Sequence, residues 1–288
     1  MIYTIAPHVN KVVCEPPFFI KVFEMLEDKL DDTHHFIIGR INNPDEKKLT
    51  LSCIIPGKKN ILIMLSDEAG IRPDIIDIHF DMIFRTYSNK KLYDDKKVFA
   101  VPCGFSCSYG NCFGKNDWIY NDMEKPKTKL VDRKYDIFYS GQMSPNRVYC
   151  VNTLNNLKNN YKAIVNVTPS FAKGYELDEY YMLMQNSKIA IVPNGAVVPE
   201  SFRYFEAFES NCIVISSFPV HIDVYNNWFY HDSPAIFLKD WSQLTKELID
   251  SLLTVENLEK YQIANRKYFD NNLSTNAIAK YILEKINK

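Results

Sequence analysis

The sequence predicts an α/β protein built of two halves, each with its own open, mainly parallel sheet. Three observations carry that reading. Short β-branched or apolar runs alternate with stretches of helical period, most regularly between residues 135 and 253. A charged, aperiodic stretch containing Pro126 interrupts the alternation at residues 115–134 and reads as a linker. The length of 288 residues suits two domains of about 120 to 150 residues, each large enough for a core.

In the first half, residues 2–6 form a short strand ending at Pro7-His8, and residues 18–30 carry helical periodicity. Residues 34–38 make the next strand, followed by a polar loop through Asn42, Asn43, Pro44 and Asp45. Residues 60–65 are the clearest strand and close on Ser66-Asp67-Glu68-Ala69-Gly70. Residues 81–87 and 98–101 are two more strands, and residues 102–114 a loop rich in Cys, Ser and Gly.

The second half opens with a strand at residues 135–140, and the turn from Gly141 to Arg147 leads into a helix ending near residue 159. A strand at 163–167, a helix at 177–187 and a strand at 189–192 follow. Pro193-Asn194-Gly195 turns the chain, and Pro199, Glu200 and Ser201 start a helix that runs to about Asn211. Strands at 212–215 and 234–238 and helices at 241–253, 255–270 and 275–287 complete the chain. The expected division is residues 1–125, residues 126–273, and a terminal helix at 274–288 that returns to the first domain.

Composition excludes several classes. With 46% hydrophobic and 24% charged residues the chain is an ordinary globule, and 34 basic against 35 acidic residues lack the excess that a nucleic-acid partner requires. No apolar run approaches the roughly 18 residues of a membrane span, and Met1 to His8 lacks the basic and apolar regions of a signal peptide, so a cytoplasmic protein is expected. Seven cysteines, an odd number, fit reduced thiols. Cys103, Cys107 and Cys112 with His79 match no standard zinc spacing, so buried or loop thiols are the reading preferred.

The chemistry concentrates between residues 189 and 217. A helix that begins after a parallel strand offers free amides and a positive dipole end to an anion. In that helix Phe202, Phe205 and Phe208 share an inward face, while Arg203, Glu206 and Ser210 follow another. Arg203 can fork onto a diphosphate and Glu206 can accept from a ribose; equally, the two can form a surface pair of little consequence. Gly141 and Arg147 offer a second strand-end and helix-start element of the same kind. The loop 167–174, following the next strand, is placed to meet a nucleobase through its backbone.

The succession Asn194-Gly195, then Ser201, Arg203, Glu206 and Ala207, then Cys212 and an apolar strand resembles the C-terminal half of exostosin-type glycosyltransferases, over residues 134–217. That family favours Gly before the Cys and Pro within the next strand, where this chain has Asn211 and Val214. The wider group places a pair of glutamates at this helix with a spacing that Glu200 and Glu206 do not keep, so Glu206 alone is carried over. The resemblance implies the GT-B fold, two Rossmann-like domains facing across a cleft. It further implies a metal-independent, inverting enzyme that moves a sugar from a UDP-sugar to a glycan acceptor. Nucleotide-sugar binding falls to Gly141, Arg147, Asn194, Gly195, Ser201, Arg203 and Glu206, with no metal or other cofactor. A compact chain of this type also resembles glycan-building enzymes of bacteria and large algal viruses, a resemblance that implies xylose as the sugar and, if viral, the host cytoplasm as the location.

Inverting transfer needs a group to take the acceptor's proton. Asp67 and Glu68, at the end of the clearest strand, are the expected catalytic pair, with His8 as rival. A loop start with a capping Asp is the bland alternative for that pair. His34 and His35 sit at the beginning of a strand and are less well placed. Asp77, His79 and Asp81 alternate along one face and offer a metal set proper to the other sugar-transferase fold. A non-catalytic nucleotide- or glycan-binding module and a GDP-fucose-type transferase remain as alternatives.

Overall fold

The computed structural model describes residues 1–9, 15–66, 79–87, 96–104, 128–170, 173–195, 200–217 and 227–288. The chain divides into two compact units: Met1–Asn121 with His221–His231 and Asn272–Lys288, and Asp122–Val220 with Asp232–Asn271.

In the first unit, β1 (Ile2–Ile5), β2 (His34–Gly39), β3 (Lys59–Met64), β4 (Met82–Arg85) and β5 (Val98–Ala100) form one parallel sheet in chain order. β2 and the last five residues of β3 are buried, which is why both read as near-continuous apolar runs. Alternation sends Phe36 to one face and Ile37 to the other. On the first face, α1 (Pro16–Glu24) sets Phe23 against Tyr3 and Phe36, with ring centroids 5.2 and 4.9 Å apart. On the second, α2 (Pro44–Leu51) lays Leu51 against the cluster of Ile37, Leu62 and Met64.

The segment expected as a polar loop is therefore a helix. Asn43 is its N-cap and accepts from the amide of Glu46 at 2.9 Å, while Pro44 takes the first-turn place. Thr50 is the helix's fully buried residue, so an apolar stripe never marks it.

In the second unit, β6 (Tyr135–Gln142), β7 (Ala163–Thr168), β8 (Ser187–Val192), β9 (Ile213–Ser217) and β10 (Ile236–Leu238) make a parallel sheet in the order β7-β6-β8-β9-β10. The chain steps from β6 out to β7, then back past β6 to β8, so the direction of winding reverses between β6 and β8. α3 (Val148–Leu157) covers one face, packing Cys150, Val151 and Leu154 with Ile137, Tyr139 and Ile189. α4 (Leu177–Gln185) lies on the opposite face, where the Tyr180 ring meets Phe138 edge-on at 5.4 Å.

Residues 128–134, expected within a linker, are anchored here. Leu130 is fully buried in the same core, and Arg133 donates to the carbonyls of Ser187 and Ser210, each at 2.8 Å. The expected helix at 241–253 is a short 3₁₀ turn at Trp241–Gln243 followed by α6 (Lys246–Leu252), restarted by the Thr245 cap. α7 (Val255–Tyr268) closes this unit. α8 (Thr275–Ile286) belongs to the first unit, where it packs on α1 and stacks Tyr281 on Trp228 at 4.3 Å.

Candidate functional site

In open parallel sheets a ligand crevice forms outside the carboxyl ends of the strands, at the point where winding reverses. Here that point lies between the ends of β6 and β8, at Gly141-Gln142 and Pro193-Asn194-Gly195. Arg147 bridges the two. Its Nη1 donates to the carbonyl of Gln142 at 3.2 Å, and its Nε and Nη2 to that of Asn194 at 3.2 and 3.1 Å. Asn146 adds a bond from Nδ2 to the carbonyl of Gly195 at 3.2 Å, and the amide of Asn194 donates to Ser217 Oγ at 3.1 Å. Arg147, expected to grip phosphate, thus commits donors to holding the two strand ends in register.

α5 (Phe202–Glu209) begins beyond these ends. Its N-cap Ser201 has extended backbone, and the hydroxyl makes no capping bond. Tyr204, Phe205, Ala207 and Phe208 are buried, but so is Glu206 at 3% exposure, so the helix lacks the free polar face its sequence implied. Glu206 Oε2 accepts from the Tyr180 hydroxyl at 2.8 Å. A carboxylate so enclosed keeps its charge only through such bonds.

Arg203, the second residue of α5, extends over the end of β6. A Cβ built on Gly141 would stand 2.7 Å from Arg203 Nη2 and 3.0 Å from Cζ, so the guanidinium occupies the space that the missing side chain leaves. Its charge reaches further. Burial pushes the Cys150 thiol up to about 12 and raises the Tyr139 phenol, and in both cases Arg203 and Arg147 oppose the rise. Burial raises Tyr180 as well, Glu206 adds to it, and the charge of Arg203 counters it. Two cations therefore bracket the end of β6. Just before the expected base loop, Asn166 Nδ2 donates to Ser140 Oγ at 3.2 Å, and a Cβ built on Gly174 would stand 3.2 Å from Thr168 Cγ2.

In the first unit, Asp67, Glu68 and Asp77 lie outside the described residues, as do Cys107 and Cys112. His8 follows β1, and its Nε2 stands 3.0 Å from the carbonyl of Arg40. A carbonyl only accepts, so Nε2 carries a proton, and Nδ1 is buried without a partner among the described residues. His35 is spent between Asn60 Oδ1 and Thr4 Oγ1, at 3.0 and 2.9 Å. Asp81 accepts from the amide of Asn60 at 2.8 Å, which commits it to the sheet. Among the described residues no group of three or more His, Cys, Asp or Glu converges as a metal site would.

The sequence missed two residues. Glu15, 1% exposed, accepts from the Ser66 hydroxyl at 2.5 Å, and Ser66 sits at the end of β3 with φ of 54°. Tyr180 is the other. Each is joined to its partner across tens of residues of chain, a distance no local pattern registers.

No known family's sequence pattern matches the chain, and no curated protein does. Solved structures do. The DNA modifying enzyme β-glucosyltransferase, solved in the presence and absence of uridine diphosphoglucose, aligns at a TM-score of 0.54 and 11% identity over 100% of both chains. An α1,3-fucosyltransferase aligns at 0.52 and 11% identity over 100% of this chain and 90% of its own. AviGT4, a glycosyltransferase involved in avilamycin A biosynthesis, aligns at 0.51 and 10% over 99% and 96%. At such identities the likeness is one of fold, and with its two parallel five-stranded sheets the chain has the GT-B fold of these glycosyltransferases.

Proposed function

We propose that the protein is a glycosyltransferase moving a sugar from a nucleoside diphosphate sugar, UDP-linked, to a glycan acceptor, with inversion and without a metal. The observation that carries this reading is the seat of Arg203 over Gly141 at the winding reversal. A forked cation there, beside the start of α5, meets the charge that develops on a departing diphosphate. The acceptor's hydroxyl proton passes to a base, for which Asp67, Glu68 and His8 are the candidates. The uridine diphosphoglucose of the β-glucosyltransferase supports UDP as the carrier. That neighbour modifies DNA, but 34 basic against 35 acidic residues favour a glycan over a polyanionic acceptor. Xylose, implied by the exostosin-type resemblance, is the first sugar to try. A second reading, a GDP-fucose-type transferase, draws on the α1,3-fucosyltransferase likeness.

Calorimetry with UDP and GDP separates the two carriers. Arg203→Ala is expected to weaken the bound diphosphate by about 1.5 to 3 kcal/mol, the range for a hydrogen bond to a charged group. EDTA is expected to leave turnover intact, and a loss that manganese restores would overturn metal independence. Asp67→Asn or Glu68→Gln is expected to slow turnover about a hundredfold and spare nucleotide binding. Among the described residues no helix is long and apolar enough to cross a membrane.

A further inference from the structure

Ser66, just past the carboxyl end of β3, is fixed through its amide, its carbonyl and its hydroxyl. The amide donates to Thr86 Oγ1 at 3.2 Å, the carbonyl accepts from Asn42 Nδ2 at 3.1 Å, and the hydroxyl donates to Glu15 Oε1 at 2.5 Å. These bonds hold a half-buried, non-glycine residue at φ of 54°. Left-handed backbone of that kind costs energy and gathers at ligand sites, and the carboxyl ends of an open parallel sheet are where such sites form. Glu15 is as unusual. It is the N-cap of α1, yet it makes no side-chain capping bond, is 1% exposed, and spends an oxygen on a hydroxyl 51 residues away. A hydroxyl has one proton and a carboxylate only accepts, so the proton of Ser66 is committed to Glu15. Lone pairs are what Ser66 Oγ has left to offer. They take a donor such as a sugar hydroxyl, whereas a phosphate or sulfate oxygen finds no proton there and meets the repulsion of the carboxylate behind.

We infer that Ser66 Oγ receives a hydroxyl group of a neutral sugar acceptor, and that Glu15, as its positioning residue, turns this contact against anionic acceptors. This rests on the glycosyltransferase reading above and gives the acceptor of that reading a chemical class. The contact is one of binding, and no proton is transferred through it.

The test follows acceptor-dependent nucleotide release from the sugar nucleotide that the wild type turns over. The probes are methyl glucoside, galactoside and mannoside and the 6-phosphate of each. The wild type is expected to favour a neutral glycoside over its phosphate by about tenfold or more in kcat/KM, as discrimination by repulsion requires. Ser66→Gly suits the left-handed backbone and removes the hydroxyl. It is expected to raise KM for the glycoside about three- to tenfold, the worth of one hydrogen bond, and to spare the Kd of the nucleoside diphosphate. Glu15→Gln keeps the shape, removes the charge, and brings an amide that can donate to Ser66 Oγ and release its proton outward. The preference for the neutral acceptor is expected to narrow about threefold or more, a change that a merely structural role does not produce. Equal use of neutral and phosphorylated probes by the wild type, an unchanged KM in Ser66→Gly, or an unchanged preference in Glu15→Gln overturns the inference. So does a wild type that hydrolyses its sugar nucleotide and is accelerated by none of the glycosides. Should Ser66→Gly fail to fold, the preference of the wild type and its change in Glu15→Gln decide. If no sugar nucleotide is bound or turned over, the glycosyltransferase reading fails and this inference with it; turnover with an unchanged preference refutes the inference alone.

Discussion

Gly141→Ala is the substitution that separates the site from the scaffold. The new Cβ would lie 2.7 Å from Arg203 Nη2, 3.0 Å from Cζ and 3.3 Å from Nη1. All three atoms are the tip of a flexible side chain, so the guanidinium moves and the sheet does not. The backbone raises no objection, because the glycines with positive φ are Gly57 and Gly104 among the described residues. Alanine also restricts the unfolded chain, which stabilises by about 0.4 to 1 kcal/mol where the conformation fits. Thermal stability should therefore hold or rise slightly. Diphosphate affinity should fall, by up to about 1.5 to 3 kcal/mol if the charge-assisted bonds from Arg203 are lost, roughly ten- to a hundredfold. Gly39→Ala is the control. Its Cβ meets Thr50 Cγ2 at 2.5 Å and Leu62 Cδ1 at 3.0 Å in the first unit's core, so it should cost stability and spare affinity. Calorimetry beside thermal denaturation reads both quantities. A Gly141→Ala protein that melts normally and binds UDP as tightly as the wild type would refute the placement of the diphosphate at Arg203.

Arg133→Ala strips the donors from the buried carbonyls of Ser187 and Ser210 and should destabilise by about 3 kcal/mol or more in urea; a cost under about 1 kcal/mol would show those carbonyls find other partners. Tyr139→Phe deletes a buried hydroxyl without a hydrogen-bond partner among the described residues and should raise stability by about 1 kcal/mol, whereas a comparable loss would reveal a bond the phenol makes through water. Thr33 and then His34 hold the exposed Asp31 carboxyl down to about 2, below its unfolded value of about 3.9. Its contribution is thus fully present above about pH 4 and lost as pH falls toward 2. Thr33→Ala should move its titration upward in an NMR pH series, and an unmoved titration would contradict the assignment.

What the sequence disclosed follows from what each element buries. β2, β3 and β8 were legible because central parallel strands are covered on both faces and so read as unbroken apolar runs. α2 was not, because Asn43-Pro44 serves equally as loop punctuation and as cap and first turn, and the helix it starts offers no apolar stripe. Phe205 and Phe208 faced inward as their spacing implied. Glu206 and Ser210 were expected on a face free to bind and are buried too. Periodicity reports one packing surface, and a helix with cover on more than one side defeats it. Nor does any pattern along the chain disclose the order β7-β6-β8, on which the location of the crevice depends.

The departure of Asn211 from the glycine of the exostosin-type pattern is physically small, and the reason bears on the site. The position needs the left-handed region, and Asn211 adopts it at φ of 55°. Asn is the residue that most readily substitutes for glycine there. Its amide donates to the carbonyl of Phe208 and that of Cys212 to Ala207, both at 2.9 Å, closing α5 in a Schellman motif. Cys212 Sγ then lies 3.3 Å from the carbonyl of Met184, 3.4 Å from that of Ser187 and 3.4 Å from Arg133 Nη1. The C-terminal end of α5 is thereby tied to the start of β8, as Arg147 ties the far end of β8 to β6. With the helix end and the strand ends both fixed, the reach of Arg203 to Gly141 is set by the scaffold.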